Sequence, residues 1–448
     1  MESNRPDNQQ SQQLQQETQP IPLQQPLLSP QQAQLQQEKE AIQRSNKLRV
    51  FWLANSWNTN TGYAKCAREI LSRIGKEFEV FHVGQQSYGE MYKPEGFEFF
   101  VLPYKDNGAV MLQHQLDLFE PDILIIQDDL FPLVSEGIHN INFKKTKLCL
   151  YAAVDGEPLA WSANQILDKA DKIVAMTNYG KRVLNEAGYE DLSVIYHGVD
   201  INMFKPMMMK DVAKEQLGNW LSTVWKKPIT LKGKCLFYAC GRNSTRKDFL
   251  SLFRAWGKFA KGKEDVMLLV NSINYNANDL SHFDMISKHI PYEGGESDLL
   301  WKKICFFPAQ TYFRGAPEEQ VGKMTATADA HVTTAFGEGF GMVMLESMAC
   351  GVPVISNSYS TPPELIGNNE RGLLAKSKDM LFLSWGIGHC PVDVDDFANK
   401  LEEFYQLWKS GKHDERFMEP CLKFAKSYTW DRVAEDWKTL IKDVCKNG

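Results

Sequence analysis

The feature that most limits what this chain can fold into is a repeated alternation of short, nearly continuous apolar runs with segments of helical period. LRVFWLA opens the series just after Lys47, followed by the loop NSWNTNTG and the amphipathic segment YAKCAREILSRI. EVFHVG, FEFFVLP, PDILIIQDD and KLCLYAAVDG then read as strands, and MLQHQLDLFE as a helix among them. ADKIVAMTNYGKRVLNEAGY adds a strand and a helix, and LSVIYHGVD a last strand. Strands without polar alternation are buried on both faces, which is the pattern of a parallel sheet covered by helices. Residues 47–205 are therefore expected to form a doubly wound α/β domain.

A weakly periodic stretch with three consecutive Met, residues 206–233, reads as a linker. A second series follows over residues 234–425. KCLFYACG, VMLLVNS, ICFFPA and AHVTTA are its strands, with DFLSLFRAWGKFA and EEQVGKMTATA as helices. The polar insert from Asn274 to Trp301 has no assigned structure. DVDDFANKLEEFYQLW and SYTWDRVAEDWKTLIKDVCK read as helices near the C-terminus. In the latter, Trp430, Val433, Trp437 and Leu440 stand at helical spacing and need an apolar surface to cover them. With 448 residues, two domains are the default. Two such halves in tandem make a cleft, and ligands of these sheets bind at the carboxyl ends of strands.

Composition excludes some classes of partner. A formal net charge of −6 gives no general affinity for nucleic acid, which needs clustered Lys and Arg. Nine Cys without a CxxC pair suit free thiols in a reducing compartment, and no apolar run reaches the roughly 20 residues of a membrane span. With no basic-then-apolar leader evident, a cytoplasmic location is expected. Residues 1–46 hold fifteen Gln and several Pro, and are expected to be a disordered tail.

The richest stretch is Thr333 to Leu365, TTAFGEGFGMVMLESMACGVPVISNSYSTPPEL. It reads as strand end, glycine turn, helix, buried strand and polar turn, with Glu338 on the first turn and Glu346 within the helix. In Gly339-Phe340-Gly341, two of three positions lack a side chain, so main-chain N–H groups at a helix N-terminus can approach an anionic or hydroxyl-rich ligand. Paired carboxylates also fit a glycosidase, which needs them about 5–5.5 Å apart if retaining. A glycine-rich cradle between them fits donor binding better.

Glu338-Gly339-Phe340-Gly341 with Glu346, then Ala349-Cys350-Gly351-Val352-Pro353-Val354 and Pro363-Glu364-Leu365, strongly resembles the paired-glutamate region of retaining glycosyltransferases of family 4, which have the GT-B fold. Gly241-Arg242 with Lys247, His197-Gly198-Val199-Asp200 and Ser427-Tyr428-Thr429-Trp430 extend the similarity. The resemblance implies two Rossmann-like domains facing a central cleft, and a C-terminal helix, residues 426–448, that crosses back to the first domain. It also implies a nucleotide-diphosphate-sugar donor as co-substrate, a hydroxyl acceptor, no cofactor and no required metal. Asp128 and Asp129 are adjacent rather than spaced as a DxD pair, and Val154-Asp155-Gly156 lacks a second Asp.

The same resemblance gives Glu346 the ribose hydroxyls and Glu338 the donor sugar. Arg242 and Lys247, in CGRNSTRKDF, would neutralise the departing diphosphate, with Arg246 a competing choice and Asp248 standing where the family usually has Gly. Gly62 resembles the family's glycine loop near the donor phosphate, or is simply a turn residue. Asp155 stands where relatives carry a His or Asp near the reacting sugar, or is a turn aspartate. Asp128 and Asp129 end a strand at the same edge, within reach of an acceptor. His197 replaces the family's Asn and reads as structural. Base contacts are expected near Phe307 to Thr311.

The expectation is a retaining, metal-independent glycosyltransferase, with a catalytically inactive sugar- or nucleotide-binding protein and a sugar-nucleotide epimerase as alternatives. The sugar, base and acceptor, a peripheral membrane contact and the oligomeric state stay open.

Overall fold

Two separate parallel sheets carry the chain, each wound on both faces by helices. The computed structural model describes residues 45–104, 108–272, 281–292, 294–308, 316–383 and 386–446. Expectations for the Gln-rich tail before Ser45 and for part of the Asn274–Trp301 insert lie outside these residues. From Ser45 onward the chain is one compact unit.

The first sheet has the order β3-β2-β1-β4-β5-β6-β7. Its strands are β1 (Arg49–Asn55), β2 (Glu79–Gln85), β3 (Phe100–Tyr104), β4 (Ile123–Asp129), β5 (Lys147–Ala153), β6 (Lys172–Ala175) and β7 (Ser193–Val194). The second has the order β10-β9-β8-β11-β12-β13. It comprises β8 (Cys235–Cys240), β9 (Val266–Asn271), β10 (Ile304–Phe306), β11 (Ala330–Val332), β12 (Val354–Asn357) and β13 (Gly372–Ala375). Every pairing in both sheets is parallel. In each sheet the chain starts in the middle, runs to one edge and returns to the other side, so β1/β4 and β8/β11 are switch points where crevices open.

Burial on both faces explains the unbroken apolar runs. On one face of β1, Trp52 meets Trp437 with ring centroids 4.8 Å apart, while on the other Phe51 packs on Phe81 at 5.4 Å and Phe119 at 5.6 Å. The C-terminal helix Trp430–Lys446 buries Trp430, Val433, Trp437 and Ile441, a stripe of period three to four. It lies on the Gly62–Ile74 helix of the first half, and Trp437 also contacts Tyr151 at 4.9 Å. Arg73 and Asp431 pair at 2.6 Å along this contact.

Several elements differ from the sequence reading. The stretch read as a linker holds a sixteen-residue helix, Lys210–Trp225, whose buried positions are Lys214, Gly218 and Leu221. With a lysine and a glycine on its inner face it shows no apolar stripe. Lys214 is buried because Asp329 meets it at 2.7 Å. A further helix, His413–Lys426, stands between the two helices read near the C-terminus and carries Pro420 within it, a residue that disfavours helix interiors. LSVIYHGVD contributes only the two residues of β7. Among the described residues, no helix is long and apolar enough to cross a membrane.

Candidate functional site

Four loops leave the carboxyl ends of β4, β5, β8 and β11 and meet where the two sheets face each other. The β8 and β11 loops are tied to one another first. Phe336 N donates to Arg246 O at 2.8 Å, and the Thr334 hydroxyl donates to Asp248 O at 2.8 Å. The halves then touch main chain to main chain at Gly337, where a Cβ would stand 2.0 Å from the carbonyl oxygen of Asp155. At Gly339 a Cβ would approach Ala153 Cβ to 3.2 Å. Gly341, at φ 86°, turns the chain into the helix Met342–Ala349, a conformation open to glycine. Phe340 is buried, its ring 4.5 Å from that of His197 and 5.7 Å from that of Tyr196. Among the described residues His197 has no hydrogen-bond partner, and burial pushes its pKa down to about 3, so it packs as a neutral ring.

Glu338, buried on the turn, is held at both ends. Its N–H donates to Ser360 Oγ at 2.9 Å, and Thr361 Oγ1 donates to its carbonyl at 2.7 Å. Its carboxylate accepts from Lys247 Nζ and lies 3.3 Å from Arg246 Nη1. Burial alone would raise its pKa, but the Lys247 and Arg246 charges outweigh that and hold it below the usual range. Lys247 is shifted down, by burial first, against the pull of Glu338.

Arg246 carries the network across the cleft. Its Nε stands 3.4 Å from Asp155 Oδ2, and the other oxygen of Asp155 stands 3.3 Å from His389 Nε2. Burial raises the Asp155 pKa, and His389 with Arg246 bring it below the ordinary value. Lys247, Glu338, Arg246, Asp155 and His389 thus form one polar chain in which Asp155 of the first half is held between Arg246 and His389 of the second. His389 comes from β15 (Gly388–His389), which pairs with β14 (Leu381–Phe382). Burial, then the Asp155 charge, raises the Asp129 pKa, and Arg246 and the exposed Arg242 on the same loop offset only part of that rise.

At the edge of the first sheet, Tyr63 donates to Asp129 Oδ1 at 2.6 Å, and Gln85 Nε2 donates to Asp128 Oδ2 at 2.6 Å. Burial, then the neighbouring Asp129 charge, raises Asp128 to about 7. Thr61 caps the Gly62–Ile74 helix by accepting from Ala64 N at 3.2 Å. A Cβ on Gly62 would lie 3.5 Å from Met342 Sδ, so this helix start faces the start of the Met342–Ala349 helix.

Glu346, in that latter helix, is buried and does not stand alone. Lys65 Nζ donates to Glu346 Oε1 at 2.6 Å. The structure therefore brings Glu338, Lys247 and Asp155 into one network through Arg246, and sets Glu346 in a second, adjoining ion pair. Sequence reasoning ranked Arg246 behind Arg242 and missed His389 and Lys65. None of these has a local signal, since each acquires its partner only when distant loops meet. Of the segment expected to contact the base, Ala309, Gln310 and Thr311 lie outside the described residues. Among the described residues, no group of three His, Cys, Asp or Glu side chains is placed to hold a metal ion.

Residues 300–388, which include both Glu338 and Glu346, match the family model described as "Glycosyl transferases group 1". The chain is a relative of the group 1 glycosyltransferases. It is 35% identical over 92 residues to the O-antigen chain mannosyltransferase B of Escherichia coli, covering 20% of this chain and 24% of that protein. It is 25% identical over 282 residues to the D-inositol 3-phosphate glycosyltransferase of Mycolicibacterium smegmatis, covering 62% of this chain and 55% of that one. The chain thus spans between about a quarter and just over half of these curated relatives, 24% and 55%. In structure it is similar to the sucrose-phosphate synthase of Thermosynechococcus elongatus, with TM-score 0.68 at 13% identity over 90% of this chain and all of the other. It is also similar to Anabaena HepE in complex with UDP-glucose, with TM-score 0.65 at 15% identity over 88% of this chain and all of the other. The fold is GT-B, two Rossmann-like α/β domains on facing sheets.

Proposed function

We propose that this group 1 relative is a retaining glycosyltransferase that moves a sugar from a nucleotide-diphosphate-sugar to a hydroxyl acceptor. The observation that carries the reading is the cross-cleft network in which Glu338, on a glycine turn at a helix N-terminus, holds Lys247 and Arg246 while Arg246 also reaches Asp155. A departing diphosphate needs positive charge that is already in place. In this reading Lys247 and Arg246, with Arg242 on the same loop, supply it, and main-chain N–H groups of the Gly339–Gly341 turn add donors for the same ligand.

In this reading Glu338 receives hydroxyls of the donor sugar and Glu346 the ribose diol. Asp155, fixed by Arg246 and His389, stands on the acceptor side of the reacting sugar. Retention follows the family resemblance, with the leaving phosphate taking the acceptor proton on the face it departs from. No cofactor or metal is assigned. The acceptor would enter over the first half, beside Asp128, Asp129 and Tyr63.

UDP-sugars are the first donors to try, because structures such as Anabaena HepE hold UDP-glucose. A thermal-shift panel of UDP-, GDP- and ADP-sugars, followed by NMR of the product's anomeric configuration, tests the reading. Stabilisation by one nucleotide class and a retained anomer support it. An inverted anomer rejects retention, and tight binding without transfer to any acceptor supports a binding protein instead.

A further inference from the structure

The contact that the nucleotide reading leaves unexplained is Lys65. It sits on the Gly62–Ile74 helix of the first half, and its side chain is only 11% exposed. Its ammonium lies 2.6 Å from Glu346 Oε1, is paired with Glu318 as well, and stands 4.5 Å over the ring of Phe204. Glu318, in the first turn of the Glu318–Thr327 helix, is shared with Arg68 at 3.1 Å. One cation of the first half is thus buried between two carboxylates of the second.

This geometry acts on Glu346 in two ways. One carboxylate oxygen is taken by Lys65, which orients the group, and among the described residues the other oxygen has no hydrogen-bond donor. Burial pushes Glu346 towards its neutral form, and the Lys65 charge pulls against it. A neutral carboxylic acid offers an O–H and a weak acceptor, whereas a carboxylate accepts from two vicinal hydroxyls with charge-assisted bonds.

We propose that Lys65 is a positioning residue of the nucleotide site, orienting the Glu346 carboxylate for a ribose diol and making recognition of that diol depend on contact between the two halves. The inference rests on the donor-site reading above and assigns a function to a residue of the opposite domain.

The test is calorimetry on the full chain with UDP and 2′-deoxy-UDP, and with the matching GDP and ADP pairs. Wild type is expected to bind the ribonucleotide about tenfold or more tightly than its 2′-deoxy form, the scale of one charge-assisted hydrogen bond. In Lys65→Met that ratio should fall towards one, and any remainder should grow with rising pH as Glu346 ionises. Lys65→Arg should restore most of the ratio. Lys65→Gln serves if the Met variant does not fold. If Lys65→Met and Lys65→Gln weaken both nucleotides equally and keep the ratio, Lys65 is only a domain contact and the inference fails. If wild type binds nucleotides without preferring the ribose, it fails as well, while the donor reading survives. If no nucleotide binds, the donor reading fails with it.

Discussion

Arg246 Nε lies 3.4 Å from Asp155 Oδ2, joining the loop after β8 in one sheet to the loop after β5 in the other. Because Arg246 also meets Glu338 at 3.3 Å, it orients a carboxylate on each side of the cleft at once. Arg246→Ala is expected to lower kcat by about 10²–10³, the usual cost of losing a preorganised charge at a transition state. Asp155→Asn should lower it as well, and the double variant by much less than the product, because both act through one contact. Steady-state kinetics on the three variants checks this. Independent, multiplicative losses would separate the two residues.

Two glycines at the cleft make opposite predictions. A Cβ at Gly337 meets the Asp155 carbonyl oxygen at 2.0 Å, so Gly337→Ala must push the halves apart. It should cost about 1–3 kcal/mol of stability and most of the activity. A Cβ at Gly62 meets only Met342 Sδ, at 3.5 Å, an ordinary contact. Gly62→Ala should leave the melting temperature unchanged or slightly raised. If the Gly62 position is where donor phosphate approaches the main chain, the donor KM rises while stability holds. An unchanged KM makes Gly62 a turn residue only.

Asp128 offers a pH test. Its pKa is raised from 3.8 to about 7, with burial the leading cause and Asp129 the next. A carboxyl whose folded pKa lies above its unfolded value favours folding while protonated, below about pH 4. That contribution is lost as pH rises through about 7. Asp128→Asn keeps an amide oxygen to accept from Gln85 and removes the titration. The melting temperature of the variant, relative to wild type, should climb between about pH 4 and 7 and level off above that. A difference that stays flat across that range would show that Asp128 is solvated and ordinary.

The sheets were legible because double-sided burial writes itself into every strand. In β1, RVFWLAN, all but the last residue are buried. The Glu338–Glu346 turn and helix were legible for a similar reason, since glycine, helix start and carboxylate sit within one local segment. Pairings across the cleft were not. Lys65 and Glu346 are 281 positions apart, and nothing in YAKCAREILSRI distinguishes a lysine that crosses to another domain from a solvated one. Arg246 and Arg242 share a loop, and it is the approach of Glu338 and Asp155 to Arg246 that sets it apart. The Lys210–Trp225 helix was hidden because Asp329 lets a lysine fill a core position.

Glu364 provides a second clamp between the halves, and its loss is the simplest test of how far the cleft depends on such contacts. From the Pro362–Ile366 helix it accepts from Asn178 N and Tyr179 N, each at 2.9 Å, at the start of the Asn178–Glu186 helix, and from the Tyr196 hydroxyl. A carboxylate there satisfies helix N–H groups that have no partner within their own helix, and it opposes the positive end of the helix dipole. Glu364→Ala should cost about 1–3 kcal/mol, read as a lower denaturant midpoint. Glu364→Gln keeps one good acceptor but no charge, and should fall between. If the donor site is assembled by the two halves together, Glu364→Ala also weakens nucleotide binding without touching the nucleotide. A variant that loses stability and keeps full nucleotide affinity would show that the clamp serves the fold alone, and that the site closes through Arg246 and Lys65.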